Sequence, residues 1–345
     1  MKYTLVILFF AILSFSCKKD VPPVKENFTG NISTNQRVFI CNEGNFQFNN
    51  ASLSVYDPQS GNVIEDVYKS NNNNQSIGDV CQSLYIHHQK IYVVINNSGK
   101  VVALDPSTFQ KTGQISGLTS PRYFLPISNN TAYVSDLYAN SISVVDLNSM
   151  TKTGNIACPG WTEEMVQSFG KVFVCNLKKD YVYVIQSATN QISDSILVGY
   201  GSTSIVKDKN EKIWVACTGD SLRNALPRLV CFNPINHQIE KSFAFSNYSQ
   251  PPSQLKTNGA GDELYFLNKN VFKLNINANT LPQQPLINAG NKLFYALGIH
   301  PGDGSIYVSD AIDYVQRGKV LIYTNSGNLQ TTITAGIIPG NIVFD

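Results

Sequence analysis

The sequence predicts an all-β chain, a seven-bladed β-propeller closed by its own C-terminal strand. Three observations lead there: an aromatic strand that recurs about every 40 residues, a composition low in charge and rich in turn residues, and a terminal strand with no downstream neighbour. The recurring strand appears as "RVFICN" (from Arg37), "KIYVVIN" (Lys90), "TAYVSD" (Thr131), "KVFVCN" (Lys171), "KIWVAC" (Lys212), "ELYFLN" (Glu263) and "SIYVSD" (Ser305). The central aromatics, Phe39, Tyr92, Tyr133, Phe173, Trp214, Tyr265 and Tyr307, stand 53, 41, 40, 41, 51 and 42 positions apart. A repeat of that length holds four short strands, one propeller blade.

Each repeat supplies the remaining strands in the same order. A second strand ending in a turn follows the aromatic one, as in "ASLSVYDPQSG" and "RLVCFNPINHQ", and a third follows, as in "KTGNIAC" or "QISDSIL". The fourth precedes the next aromatic strand, as "RYFLPIS" precedes Tyr133. The first repeat lacks such a piece. "GNIVFD", Gly340 to Asp345, is left over after seven repeats, and its branched and aromatic residues behind a Pro-Gly turn read as the missing innermost strand of blade one. Pairing there removes both open sheet edges. The two wide spacings place insertions at "YKSNNNNQSIGD" and "AFSNYSQPPSQ", whose Asn, Ser and Pro content reads as loop.

A chain of 345 residues that is 43% hydrophobic can bury a large core, while 14% charged residues and a net charge of +2 exclude binding driven by phosphate neutralisation, so no nucleic-acid partner is expected. Residues 1–16 read as a signal peptide: Lys2 is its positive end, and the 13-residue apolar run from Tyr3 to Phe15 is shorter than the roughly 20 residues that span a bilayer. "LSFSC", ending at Cys17, resembles a bacterial lipoprotein signal, which implies cleavage before Cys17, its acylation and a membrane anchor. Ser14 and Phe15 stand where that signal usually has Leu and a small residue, and Ser14-x-Ser16 also fits ordinary secretion. Residues 17–36 read as a polar tether, and residues 37–345 as a single propeller domain. "KKD" behind Cys17 is similar to the export signal of Bacteroidota surface lipoproteins. It implies an outer-membrane protein exposed at the cell surface, with the periplasmic face as the alternative.

In a propeller, the loops leaving the aromatic strands and those entering the innermost strands converge around the axis on one face. The first set offers a ring of Asn42, Asn96, Asp136, Asn176, Thr218, Asn268 and Asp310. Its amides suit a neutral ligand edged with amides or hydroxyls, although Asn and Asp also cap strand ends and make Asx-turns. The second set offers Asp79, Arg122 with Tyr123, Trp161 with Glu163, Tyr200, Gln254, and Phe294 with Tyr295. Trp161 follows a Pro-Gly turn, where it reads either as a flat apolar platform or as packing. With Glu43 and Asn45 of the Asn42-Glu43-Gly44-Asn45 stretch, the candidate ligand residues are Asn42, Glu43, Asn45, Asp79, Asn96, Arg122, Trp161, Glu163, Asn176, Tyr200 and Tyr295.

Catalytic and metal signals are sparse. His87, His88, His237 and His300 have no metal-ligand spacing, and no G-x-S-x-G is present. Glu163 and Glu164 are adjacent, so regular strand geometry sends them to opposite faces. No catalytic residue, metal or cofactor is therefore expected, with a propeller lactonase or lyase as the enzyme alternative. Cys41, Cys175 and Cys217 share one place in three aromatic strands and read as small buried hydrophobes; no C-x-x-C occurs.

The stretches "VFICNEGNFQFNNASLSVYDPQSG", "DVCQSLYIHHQKIYVVINNSGKVVALDP", "PRYFLPISNNTAYVSDLYANSISVVDL" and "WTEEMVQSFGKVFVCN" resemble the YncE-like seven-bladed propellers. The resemblance is nearest to a Bacteroidota surface-lipoprotein branch that includes BtuG-type cobalamin-binding proteins. Thr162 departs from the Pro that often precedes the Glu of the last stretch. The resemblance implies capture of a small polar ligand, with cobalamin the first candidate, and its transfer to a TonB-dependent outer-membrane transporter. A propeller scaffold that grips a protein or a glycan is the alternative.

Overall fold

The computed structural model describes residues 37–345. The expected signal peptide, the expected lipidation site Cys17 and the expected tether lie outside the described residues. The described chain forms seven antiparallel sheets, six of four strands and one of three. In every sheet the aromatic strand is second from the inside. The innermost strands of blades two to seven are Cys81–His87, Pro121–Pro126, Thr162–Ser168, Ser202–Lys207, Ser253–Thr257 and Phe294–Ile299. Each touches the innermost strand of the next blade, and Pro339–Phe344 bridges blades seven and two, so the ring is closed.

Closure happens where the sequence places it. Pro339–Phe344 pairs antiparallel with Val38–Asn42, setting Val343 opposite Phe39 and Ile342 opposite Ile40. Beyond the last strand pair, Arg37 Nε donates to Asp345 Oδ2 at 2.9 Å, and the two ends are further held by Asp345 N–H donating to the Arg37 carbonyl at 3.0 Å. The core is not one mass. Seven apolar clusters fill the seven wedges between neighbouring blades. Each cluster holds one of the recurring aromatics, all at most 3% exposed. Tyr92 stacks on Phe124 of the next blade with ring centres 4.6 Å apart, and each such buried ring contributes on the order of 1.5–3 kcal/mol. All six described cysteines are free and buried, as small core hydrophobes.

Two local expectations change. Blade six lacks its outer strand: beyond Asn270–Asn275 the chain keeps only an isolated bridge between Ile287 and Val271. Pro282 and Pro285 in that stretch have no N–H for a ladder, which limits pairing there. The first insertion is not all loop. Val67–Asn71 forms a short helix capped by the Asp66 carboxylate, which accepts from Lys69 N–H at 3.1 Å, and buries Val67 and Tyr68 against blade one.

One irregularity recurs seven times. Near the start of every innermost strand the register against the aromatic strand slips by one residue. Such a β-bulge places one residue more on the inner strand than on its partner and re-aims the side chains beside it. The residues second in these strands are Gln82, Arg122, Glu163, Thr203, Gln254, Tyr295 and, in the closing strand, Gly340.

Candidate functional site

The bulges assemble a polar cluster where the seven inner strands begin. Arg122 Nε donates to Glu163 Oε2 at 3.0 Å, and another guanidinium N–H donates to Gln82 Oε1. Between blades seven and one, Tyr295 O–H lies 3.1 and 3.2 Å from the two oxygens of Glu43. Glu43 stands in for blade one, whose own bulge residue has no side chain. A Cβ on Gly340 would come within 2.4 Å of Glu43 Oε1, so only glycine leaves room for that carboxylate. Blades one, two, three, four and seven thus each place a polar group in one cluster.

The electrostatics follow from burial. Desolvation pushes the Glu43 carboxyl above its usual range, and the Tyr295 hydrogen bond and the Arg122 charge pull it only partly back. Glu163 is raised for the same first reason, with Arg122 opposing. Burial works most strongly against the Arg122 charge too, but the charges of Glu163, Tyr123 and Glu43 and the Glu163 hydrogen bond together outweigh it, so the guanidinium stays protonated. Deeper in the channel Glu164 accepts from Ile205 N–H at 3.1 Å and pairs with Lys256 at 3.2 Å. The two adjacent carboxylates each raise the cost of ionising Tyr123 beside them. Their partners lie on opposite neighbours, Arg122 of blade three for Glu163 and Ile205 of blade five for Glu164, as strand geometry sends them.

The amide ring behaves differently from its expected role. Asn42 is fully buried: its Nδ2 donates to Ser54 Oγ at 2.9 Å and Ser52 Oγ at 3.1 Å, and its Oδ1 accepts from Gly336 N–H at 2.9 Å. Asn96 Nδ2 donates to Ser120 Oγ and the Pro121 carbonyl, both at 2.9 Å. Asn176 Nδ2 donates to the Pro159 carbonyl at 3.1 Å while its Oδ1 accepts from Lys178 N–H. These three staple the loops together, and their amides are committed within the chain.

The other candidates sit in the surrounding loops. Asn45 Nδ2 donates to the Tyr314 carbonyl at 2.7 Å, tying the loops of blades one and seven. Asp79 Oδ2 accepts from Gln47 N–H and Asn97 Nδ2, and its buried Oδ1 has no partner. Trp161 is partly buried, with Tyr138 edge-on at 5.6 Å and the Lys178 ammonium 4.2 Å above its ring. Tyr200 lies 4.8 Å beneath the Arg223 guanidinium. This face also carries most of the exposed apolar bulk among the described residues. Phe46 and Phe48 (61% and 73% exposed), Tyr138, Leu222, Ile312, Tyr314 and Val315 all project from loops that leave the aromatic strands. Exposed apolar residues collected on one face distinguish it as a candidate binding surface in a way that scattered single residues do not.

Sequence reasoning therefore found Glu43, Arg122, Glu163 and Tyr295, which the fold brings together, and missed Gln82 and the exposed loop aromatics. A signal for Gln82 was present: Gln82, Arg122, Glu163 and Thr203 follow one another at 40, 41 and 40 residues, the period of the aromatic strands. Among the described residues no group of three or more His, Cys, Asp or Glu is placed to hold a metal ion.

Fold and face together define a closed seven-bladed β-propeller with a polar axial cluster ringed by exposed aromatic loops. The chain belongs to the family described as domain of unknown function DUF5074, whose profile matches residues 36–329. No curated protein is significantly similar in sequence. Among solved structures it is similar to a quinonprotein alcohol dehydrogenase-like protein from Bacteroides thetaiotaomicron, with 14% identity and a TM-score of 0.72 over 92% of this chain and 79% of that one. It is also similar to the periplasmic gluconolactonase of Pseudomonas aeruginosa, with 12% identity and a TM-score of 0.68 over 90% and 98%. At such identities the likeness establishes the shared propeller fold and nothing about activity.

Proposed function

We propose that the protein is a ligand-capture propeller that holds a small, largely neutral molecule over the axial cluster. One observation carries the reading: exposed aromatics gather on the face where the seven bulges turn Gln82, Arg122, Glu163 and Tyr295 toward the axis. Aromatic loops supply flat apolar contact. The cluster supplies acceptors in Glu43 and Glu163 and donors in Arg122 and Tyr295 for a few oriented hydrogen bonds. A corrinoid is the first ligand to test, on the resemblance to BtuG-type proteins, because its apolar plane and amide-edged rim match that division. Retention at the membrane by acylated Cys17 and hand-over to a TonB-dependent outer-membrane transporter complete the proposal.

Calorimetry with cobalamin and cobinamide tests the reading directly. Saturable binding that Trp161→Ala weakens by about 2 kcal/mol, as expected for an aromatic anchor, supports it. Heat with neither corrinoid removes that ligand class, and retention of a protein or glycan by the same face would replace capture with a scaffold role. Cys17→Ser is expected to release the protein from the membrane fraction, and unchanged fractionation would overturn the anchor.

A further inference from the structure

Between blades four and five, at the rim of the same face, lies a groove of about 850 Å³, within the usual size of small-molecule sites. Val198, Val230, Ile239 and the Tyr200 ring form its apolar lining, and its charged lining is Lys178, Lys179, Arg223 and Arg228 against the single carboxylate of Asp180. Two of the cations are engaged: Lys178 rests on Trp161, and Arg223 lies over Tyr200 and pairs with Asp220 at 3.3 Å. Arg228 differs. Its Nε is buried without a hydrogen-bond partner, and neither it nor Lys179 belongs to an ion pair among the described residues. Its stem is seated by Gly199, which has φ +108° and where a Cβ would stand 2.6 Å from Arg228 Cδ.

A guanidinium donor shut away from water without an acceptor is unfavourable, and the fork of arginine matches a planar carboxylate or a phosphate. Asp180 is exposed, so water screens its repulsion, whereas Arg228 is partly buried. We propose that this groove is a second binding site, for a small organic anion whose phosphate or carboxylate head meets Arg228 and Lys179 and whose apolar body lies along Tyr200, Val230 and Ile239. The site is separate from the axial cluster, and its test does not depend on what binds there.

The test is calorimetric titration of the full-length protein with inorganic phosphate, phenyl phosphate and benzoate. Phenyl phosphate or benzoate is expected to bind saturably, more tightly than phosphate alone, and less tightly as salt rises. Arg228→Gln is expected to weaken that binding at least about tenfold and Lys179→Gln several-fold. Thermal melting shows whether Arg228→Gln is folded, and if it is not, Lys179→Gln carries the test, because the Lys179 side chain enters no ion pair among the described residues. Whichever of phenyl phosphate and benzoate binds more tightly names the head group. Absence of saturable binding by all three anions, or binding unchanged in the folded variants, overturns the proposal.

Discussion

Two rings of polar side chains lie at the same end of the blades, one strand apart, and their hydrogen bonds run in opposite directions. In the outer ring, Asn42, Asn96 and Asn176 donate back into loops and neighbouring strands. In the inner ring the hydrogen bonds run between the inner ends of neighbouring blades: Arg122 to Gln82 and Glu163, and Tyr295 to Glu43. Residue type does not separate them, since amides occur in both. Backbone geometry does: regular pairing leaves the outer ring among open backbone groups at strand ends, which it satisfies, whereas the bulge turns the inner ring away from its sheet. Polarity near a propeller axis is therefore a sign of a site only where the backbone has no use for it.

The strongest way to break the comparison is to remove the strand that serves both rings. Deleting Gly340–Asp345 takes away the pairing partner of Val38–Asn42 and the glycine that houses Glu43. Two sheet edges open, and the expected result is loss of a single cooperative melting transition. Full-length-like melting of the truncated chain would show that closure contributes little.

Single substitutions sharpen it. Arg122→Ala leaves the Glu163 carboxylate buried without its counter-charge, at a cost of about 3 kcal/mol near neutral pH. Glu163 without Arg122 holds its proton to still higher pH, so this cost should shrink on acidification, as denaturant titrations at several pH values would reveal. Asn42→Ala strands Gly336 N–H and two serine hydroxyls and should cost about 2 kcal/mol. No titrating group is involved, so that cost should not vary with pH. Equal pH dependence in the two variants would erase the distinction between the rings.

The smallest effect concerns Glu43. Burial holds its folded carboxyl above the ordinary carboxylate range, so the folded protein binds the proton more readily than the unfolded chain. Its contribution is favourable at low pH and is lost as pH rises from the ordinary carboxylate value through the raised one. Glu43→Gln keeps an acceptor for Tyr295 and removes this slope. The variant should gain stability relative to the native protein as pH rises through that window and nothing below it, measured by denaturant melts across pH.

Much of the architecture was legible in the chain because it rests on repetition. Seven aromatic strands at a steady period state the number of blades, and a first repeat short by one strand with a spare strand at the end states how the ring closes. Both are local patterns counted along the sequence, and burial of Phe39, Tyr133 or Trp214 follows because a wide side chain at that point has only the wedge between blades to occupy. The candidate site was half legible. Glu43, Arg122, Glu163 and Tyr295 could be named, but so could Asn42, Asn96 and Asn176, whose amides the fold directs inward. The tertiary structure alone decided between them, since the partners of Asn42 include Gly336, nearly three hundred residues away, and the axial neighbours of Arg122 come from blades two and four. It also set the bulge. A one-residue slip between paired strands is a relation between two strands, and neither strand's own period records it.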